Sequence, residues 1–75
     1  FNPETQISFA LPEKGFVTLT VYNILGKEVE VLFSGELESG RHTVNFNAKN
    51  YSSGVYIYKL TGGGASLTRK MILTK

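Results

Sequence analysis

Ser53-Gly54-Val55-Tyr56-Ile57-Tyr58-Lys59-Leu60, Thr61-Gly62-Gly63-Gly64-Ala65-Ser66-Leu67 and Thr68-Arg69-Lys70-Met71-Ile72-Leu73-Thr74-Lys75 run consecutively to the last residue of the sequence. Two apolar-rich runs flank a glycine cluster, which is the pattern of a β-hairpin. Tyr56, Tyr58 and Leu60 share one parity, and Met71 and Leu73 are expected to meet them across the hairpin. Arg69 then falls on the inward parity near the sheet rim. Its charge either snorkels outward or the register shifts there. The glycine cluster is expected to be a flexible hairpin tip. A phosphate cradle needs a helix N-terminus and a Lys-Ser/Thr pair after it, and here a strand follows.

The same period-2 signal extends upstream. From Thr5, Ile7, Phe9 and Leu11 alternate with Gln6, Ser8 and Ala10 until Pro12 ends the strand. Pro12-Glu13-Lys14-Gly15 has the proline-first, glycine-last order of a type I turn. In Phe16–Asn23, Val17, Leu19 and Val21 point inward, while Thr18, Thr20 and Tyr22 point out. Asn23-Ile24-Leu25-Gly26 turns the chain into Lys27–Phe33, where Val29, Val31 and Phe33 alternate with Glu28, Glu30 and Leu32. Residues 34–40 read as a loop between two glycines, with Leu37 as a core anchor or the start of a short edge strand. Arg41–Asn47 resumes alternation, and residues 48–53 form a second loop. About six or seven short strands at such spacing, with no helical stripe, predict an antiparallel β-sandwich.

The 75 residues are long enough for one domain, 1–75, and no more. A chain this short buries about 60–65% of its unfolded surface, so its core is thin. Without cysteine it has no disulfide, thiolate metal site or Cys nucleophile. No apolar run of about 18 residues exists, so no membrane insertion is expected. The start at Phe1, without Met, suggests a fragment from the C-terminal end of a larger protein whose export signal lies upstream. Charge is uneven. Residues 1–38 hold all six Glu and only Lys14 and Lys27, while residues 39–75 hold six basic residues and no acid. That asymmetry marks an anionic partner or, more plainly, acidic strands lying beside basic ones in one sheet.

No constellation carries chemistry. His42 is the only histidine, the chain has no Asp, and its Glu residues lie on strands and turns, so no nucleophilic triad is assembled. Glu28 with Glu30, and Glu36 with Glu38, look like solvated edges rather than the facing carboxylates of a glycosidase. Glu36 and Glu38 are a weak calcium signal. Phe16 and Tyr22 share an outer face and leave a sugar-binding strip conceivable. Basic residues are too few, and too far from exposed aromatics, for nucleic acid. No catalytic residue, cofactor or metal site is expected.

Five motifs in order carry a resemblance. They are Asn2-Pro3-x-Thr5-x-Ile7-x-Phe9-x-Leu11-Pro12, Val17-x-Leu19-x-Val21-Tyr22-Asn23-x-Leu25-Gly26-x-x-Val29, Gly40-x-His42-x-Val44-x-Phe46, Ser53-Gly54-Val55-Tyr56-x-Tyr58-x-Leu60 and Lys70-Met71-x-Leu73-x-Lys75. Together they resemble the type A C-terminal sorting domain of the type IX (Por) secretion system. Phe46 and Asn47 stand where that family often has Trp and Asp. The resemblance implies a seven-stranded Ig-like sandwich that directs a cargo, upstream in the same parent chain, through the periplasm and the type IX translocon to the cell surface or beyond. In many relatives a surface sortase then removes the domain. Lys70, Met71, Ile72, Leu73, Thr74 and Lys75 are the implied recognition segment for translocon or sortase. Gly26, Gly40, Gly54, Tyr56 and Tyr58 are implied structural positions. A structural or carbohydrate-binding Ig-like accessory module of a secreted enzyme is the alternative.

Overall fold

A computed structural model describes residues 3–74. The strands are β1 (Glu4–Leu11), β2 (Gly15–Asn23), β3 (Glu28–Leu37), β4 (Gly40–Asn47), β5 (Gly54–Gly62) and β6 (Ala65–Leu73). All pairings are antiparallel. β1 pairs with β4 in a two-stranded sheet, and the second sheet has the order β3-β2-β5-β6. The expected all-β sandwich is therefore present with six strands among the described residues rather than seven. No helix among them is long and apolar enough to cross a membrane.

The core lies between the sheets. Ile7, Phe9, Leu11 and Phe46 come from the small sheet, and Val17, Leu19, Val21, Tyr56, Leu60 and Leu73 from the large one. Each set follows the period-2 parity of its strand, because successive side chains point to opposite faces. Thr20 has outward parity, yet it is only 5% exposed, between β3 and β5 in the middle of the sheet.

Three expectations need correction. The first is β3, which does not end at Phe33. Ser34, Gly35, Glu36 and Leu37 continue it against Thr18, Val17, Phe16 and Gly15. Only Glu38 and Ser39 remain between β3 and β4. The second is its alternation. Register shifts opposite Leu19/Thr20 and Val21/Tyr22 leave Leu32 and Val29 as extra residues. Each bulge inverts the parity beyond it. Val31 is consequently 45% exposed, while Leu32 packs against the core.

The third correction concerns the glycine tip. Gly63 is buried and its carbonyl accepts a hydrogen bond from the Glu13 amide at 3.2 Å. The tip is docked on the turn between β1 and β2. Gly63 and Gly64, at φ 61° and 76°, form a two-residue loop with positive φ at both central positions. That is the type I′ turn, whose twist matches the flanking strands.

Candidate functional site

The closing hairpin places its residues by strict alternation. Along β6 the register with β5 is unbroken from Gly62↔Ala65 to Gly54↔Leu73. Met71, opposite Tyr56, is half-buried against the core, and Leu73, opposite Gly54, is fully buried. Lys70 and Ile72 take the other parity, on the outer face. Lys70 is exposed and Ile72 is 56% exposed. Thr74 follows the strand and is exposed. Lys75 lies outside the described residues, as do Phe1 and Asn2, the latter being the first residue of the opening motif. Lys70–Leu73 thus divides into two anchoring side chains and an outward pair.

Arg69 keeps its inward parity with no register shift. It stands opposite Tyr58 and is exposed. This is possible because β6 is an edge strand, and beyond it lies an open groove of about 510 Å³ rather than core. Residues 5–8 of β1 line one side, residues 69–72 of β6 line the other, and Tyr58 joins them. The contribution of β1 could not be read from sequence. No local signal tells that two strands sixty residues apart border one cleft.

The other end of the sheet is acidic. β3 carries Glu28, Glu30 and Glu36 along one edge, while β6 carries Arg69 and Lys70 along the opposite edge. The expected pairing of acidic with basic strands is therefore not how this sheet is built. β3 and β6 are separated by β2 and β5. The two ends of the sheet have opposite charge.

The family model of the secretion system C-terminal sorting domain matches residues 2–74. The chain belongs to that family. Its match spans every strand of the sandwich. No curated protein and no solved structure matches the chain significantly. A sorting domain of this kind is a C-terminal signal for type IX secretion, and it addresses a cargo of the same parent chain for secretion or the cell surface.

Within the sorting domain, the structural motif residues sit at the corners. Gly26, Gly40 and Gly54 all have positive φ, at the β2–β3 turn and at the first residues of β4 and β5. The hydroxyl of Tyr56 donates a 2.6 Å hydrogen bond to the Ser52 carbonyl four residues upstream. A tyrosine near the start of a strand, bonded back to the preceding backbone, is the tyrosine corner of Ig-like sandwiches. Tyr58, opposite both Val21 and Arg69, spans from the core to the groove. His42 Nε2–H donates to the Glu38 carbonyl at 2.7 Å, and its ring lies 5.8 Å from that of Phe9. It fastens the corner between β3 and β4. Among the described residues no three His, Cys, Asp or Glu side chains gather to hold a metal. Phe16, 62% exposed, is the one largely exposed aromatic among them, and Tyr22 on the same strand is half-buried.

Proposed function

We propose that residues 1–75 act as a non-catalytic module at the C-terminal end of a larger secreted protein. The type IX machinery reads it after the parent has crossed into the periplasm. Lys70 to Lys75 form the segment that is read, and a surface sortase is a second reader of the same segment. The observation that carries this reading is the place of β6. It lies on a sheet edge, and it anchors itself through Met71 and Leu73 while presenting Lys70 and Ile72 outward. A strand held in this way offers a fixed shape and an edge to which a partner can add. Lys70 supplies steering charge, which acts on encounter rate more than on affinity.

The test is a fusion of residues 1–75 to a fluorescent reporter carrying an inner-membrane export signal, in a host with the type IX system. The reporter should reach the cell surface or the medium. Removal of residues 70–75, which also takes away the buried Leu73 side chain, should leave the reporter in the periplasm. Normal release of that truncation would overturn the assignment of the reading segment.

A further inference from the structure

We infer that the groove between β1 and β6 is a docking site for an extended, acidic strand of a partner protein, added to β6 along Ser66–Lys70. The inference deepens the sorting reading by naming the chemistry of the partner, and it rests on that reading for its biological setting.

Three observations meet here. The first is which backbone groups are available. The pair Gly62/Ala65 closes the two-residue loop, so it exchanges both its hydrogen bonds across the hairpin. Alternate residues beyond it do the same. The N–H and C=O groups of Ser66, Thr68 and Lys70 therefore point away from β5, and no other strand of the described residues pairs with β6. On the far side, the bond from the Ala48 amide to the Pro3 carbonyl fixes the phase of the β1–β4 pair. Gln6 and Ser8 then direct their backbone groups into the groove.

The second is the contrast with the other end of the large sheet. β3 is also an edge, but it carries two bulges, and bulges twist an edge away from a pairing partner. β6 runs nine residues in unbroken register. Of the two edges of this sheet, only β6 is regular enough to template a strand.

The third is charge. Among the described residues, the groove is lined by Arg69 and Lys70 and by no acid. An inward-pointing charge on an edge strand ordinarily blocks strand addition. Arg69 rejects an apolar strand, which would bury its guanidinium unpaired. A second copy paired through its own β6 would bring like charges together, which is also unfavourable. A strand with a carboxylate at the facing position turns the block into a paired contact, so Arg69 acts as a selector.

The test uses the 75-residue chain and peptides of about seven alternating Thr and Val residues with one central Glu or, as control, one central Lys. Amide exchange is read at Ser66, Thr68 and Lys70. The Glu peptide should slow exchange at these three sites, and the Lys peptide should not. Arg69→Glu should reverse the preference by about tenfold or more, and Arg69→Gln should weaken binding of the Glu peptide without favouring the Lys peptide. Several results would overturn the inference: no protection by either peptide, equal protection by both, protection only by anionic vesicles, or self-association of the chain through β6. An export defect in cells without peptide binding would leave the sorting reading standing and this one refuted.

Discussion

Tyr51 donates a 2.6 Å hydrogen bond to Oε1 of Glu30, tying the loop between β4 and β5 to the edge strand β3. The two residues are 21 apart in sequence, and the contact closes one end of the sandwich. The Tyr51 ring also lies 5.9 Å from Phe46 and 6.2 Å from Tyr56, so the loop is laid over core side chains.

That bond makes a titration prediction. The hydrogen bond to Glu30, then burial, then the charge of Glu30 push the Tyr51 pKa up to about 12. Glu30→Ala should return it toward the usual value of about 10, seen as a lower-pH phenolate absorbance transition. The folded-state pKa is raised, so the neutral phenol is what folding favours. Its stabilisation is fully present below the unfolded pKa near 10 and is lost as pH rises from about 10 to about 12. The wild-type chain should therefore lose more stability over that window than Glu30→Ala does, and neither should show a Tyr51-linked change near neutrality. Denaturant midpoints measured across pH check this.

Gly62 should tolerate no side chain. Its φ is 113°, and a Cβ there would overlap the Phe16 carbonyl. Both backbone strain and a steric clash with main chain act against substitution. Gly62→Ala is expected to cost at least ~2 kcal/mol in chemical denaturation. Gly26→Ala, where a Cβ meets nothing within 4 Å, should cost less because only the conformational strain applies.

The bulges of β3 give a paired prediction. Val31→Thr, at an exposed position, should change stability by no more than about 0.5 kcal/mol. Leu32→Ala should cost about 1–2 kcal/mol, since Leu32 is half-buried against the core. Simple alternation would assign these effects the other way round, so the pair measures the bulge directly.

What was legible in the residues follows the same line. β1, β2 and β4–β6 pair without bulges on their own side, so parity places Ile7, Leu19, Phe46, Tyr56 and Leu73 in the core correctly. β3 defeats parity because an inserted residue leaves no mark in a short apolar run. Gly35 looks like loop punctuation, yet it pairs with Val17 inside the strand, where an added Cβ would touch the Phe33 ring. The groove was beyond reach for a different reason. Arg69 on an inward parity is a visible anomaly, but what faces it depends on sheet order, and sheet order is settled by long-range packing rather than local pattern.

Folding and reading should separate along β6. Leu73 is fully buried, so Leu73→Ala should destabilise the sorting domain by about 2–4 kcal/mol. For a thin core that is a large share of total stability, which for such domains is typically about 5 kcal/mol or somewhat more. Export of a fused reporter should then fall because the unfolded fraction rises, and it should recover at lower temperature. Lys70 is exposed on the outer face opposite Ile57, and changing it removes no core contact. Lys70→Glu should leave the unfolding midpoint within experimental error of wild type and still reduce export, with no recovery on cooling. A Lys70→Glu domain that is exported as well as wild type would place the reading elsewhere than this face of β6. A marked loss of its stability would mean that Lys70 belongs to the scaffold and not to the signal.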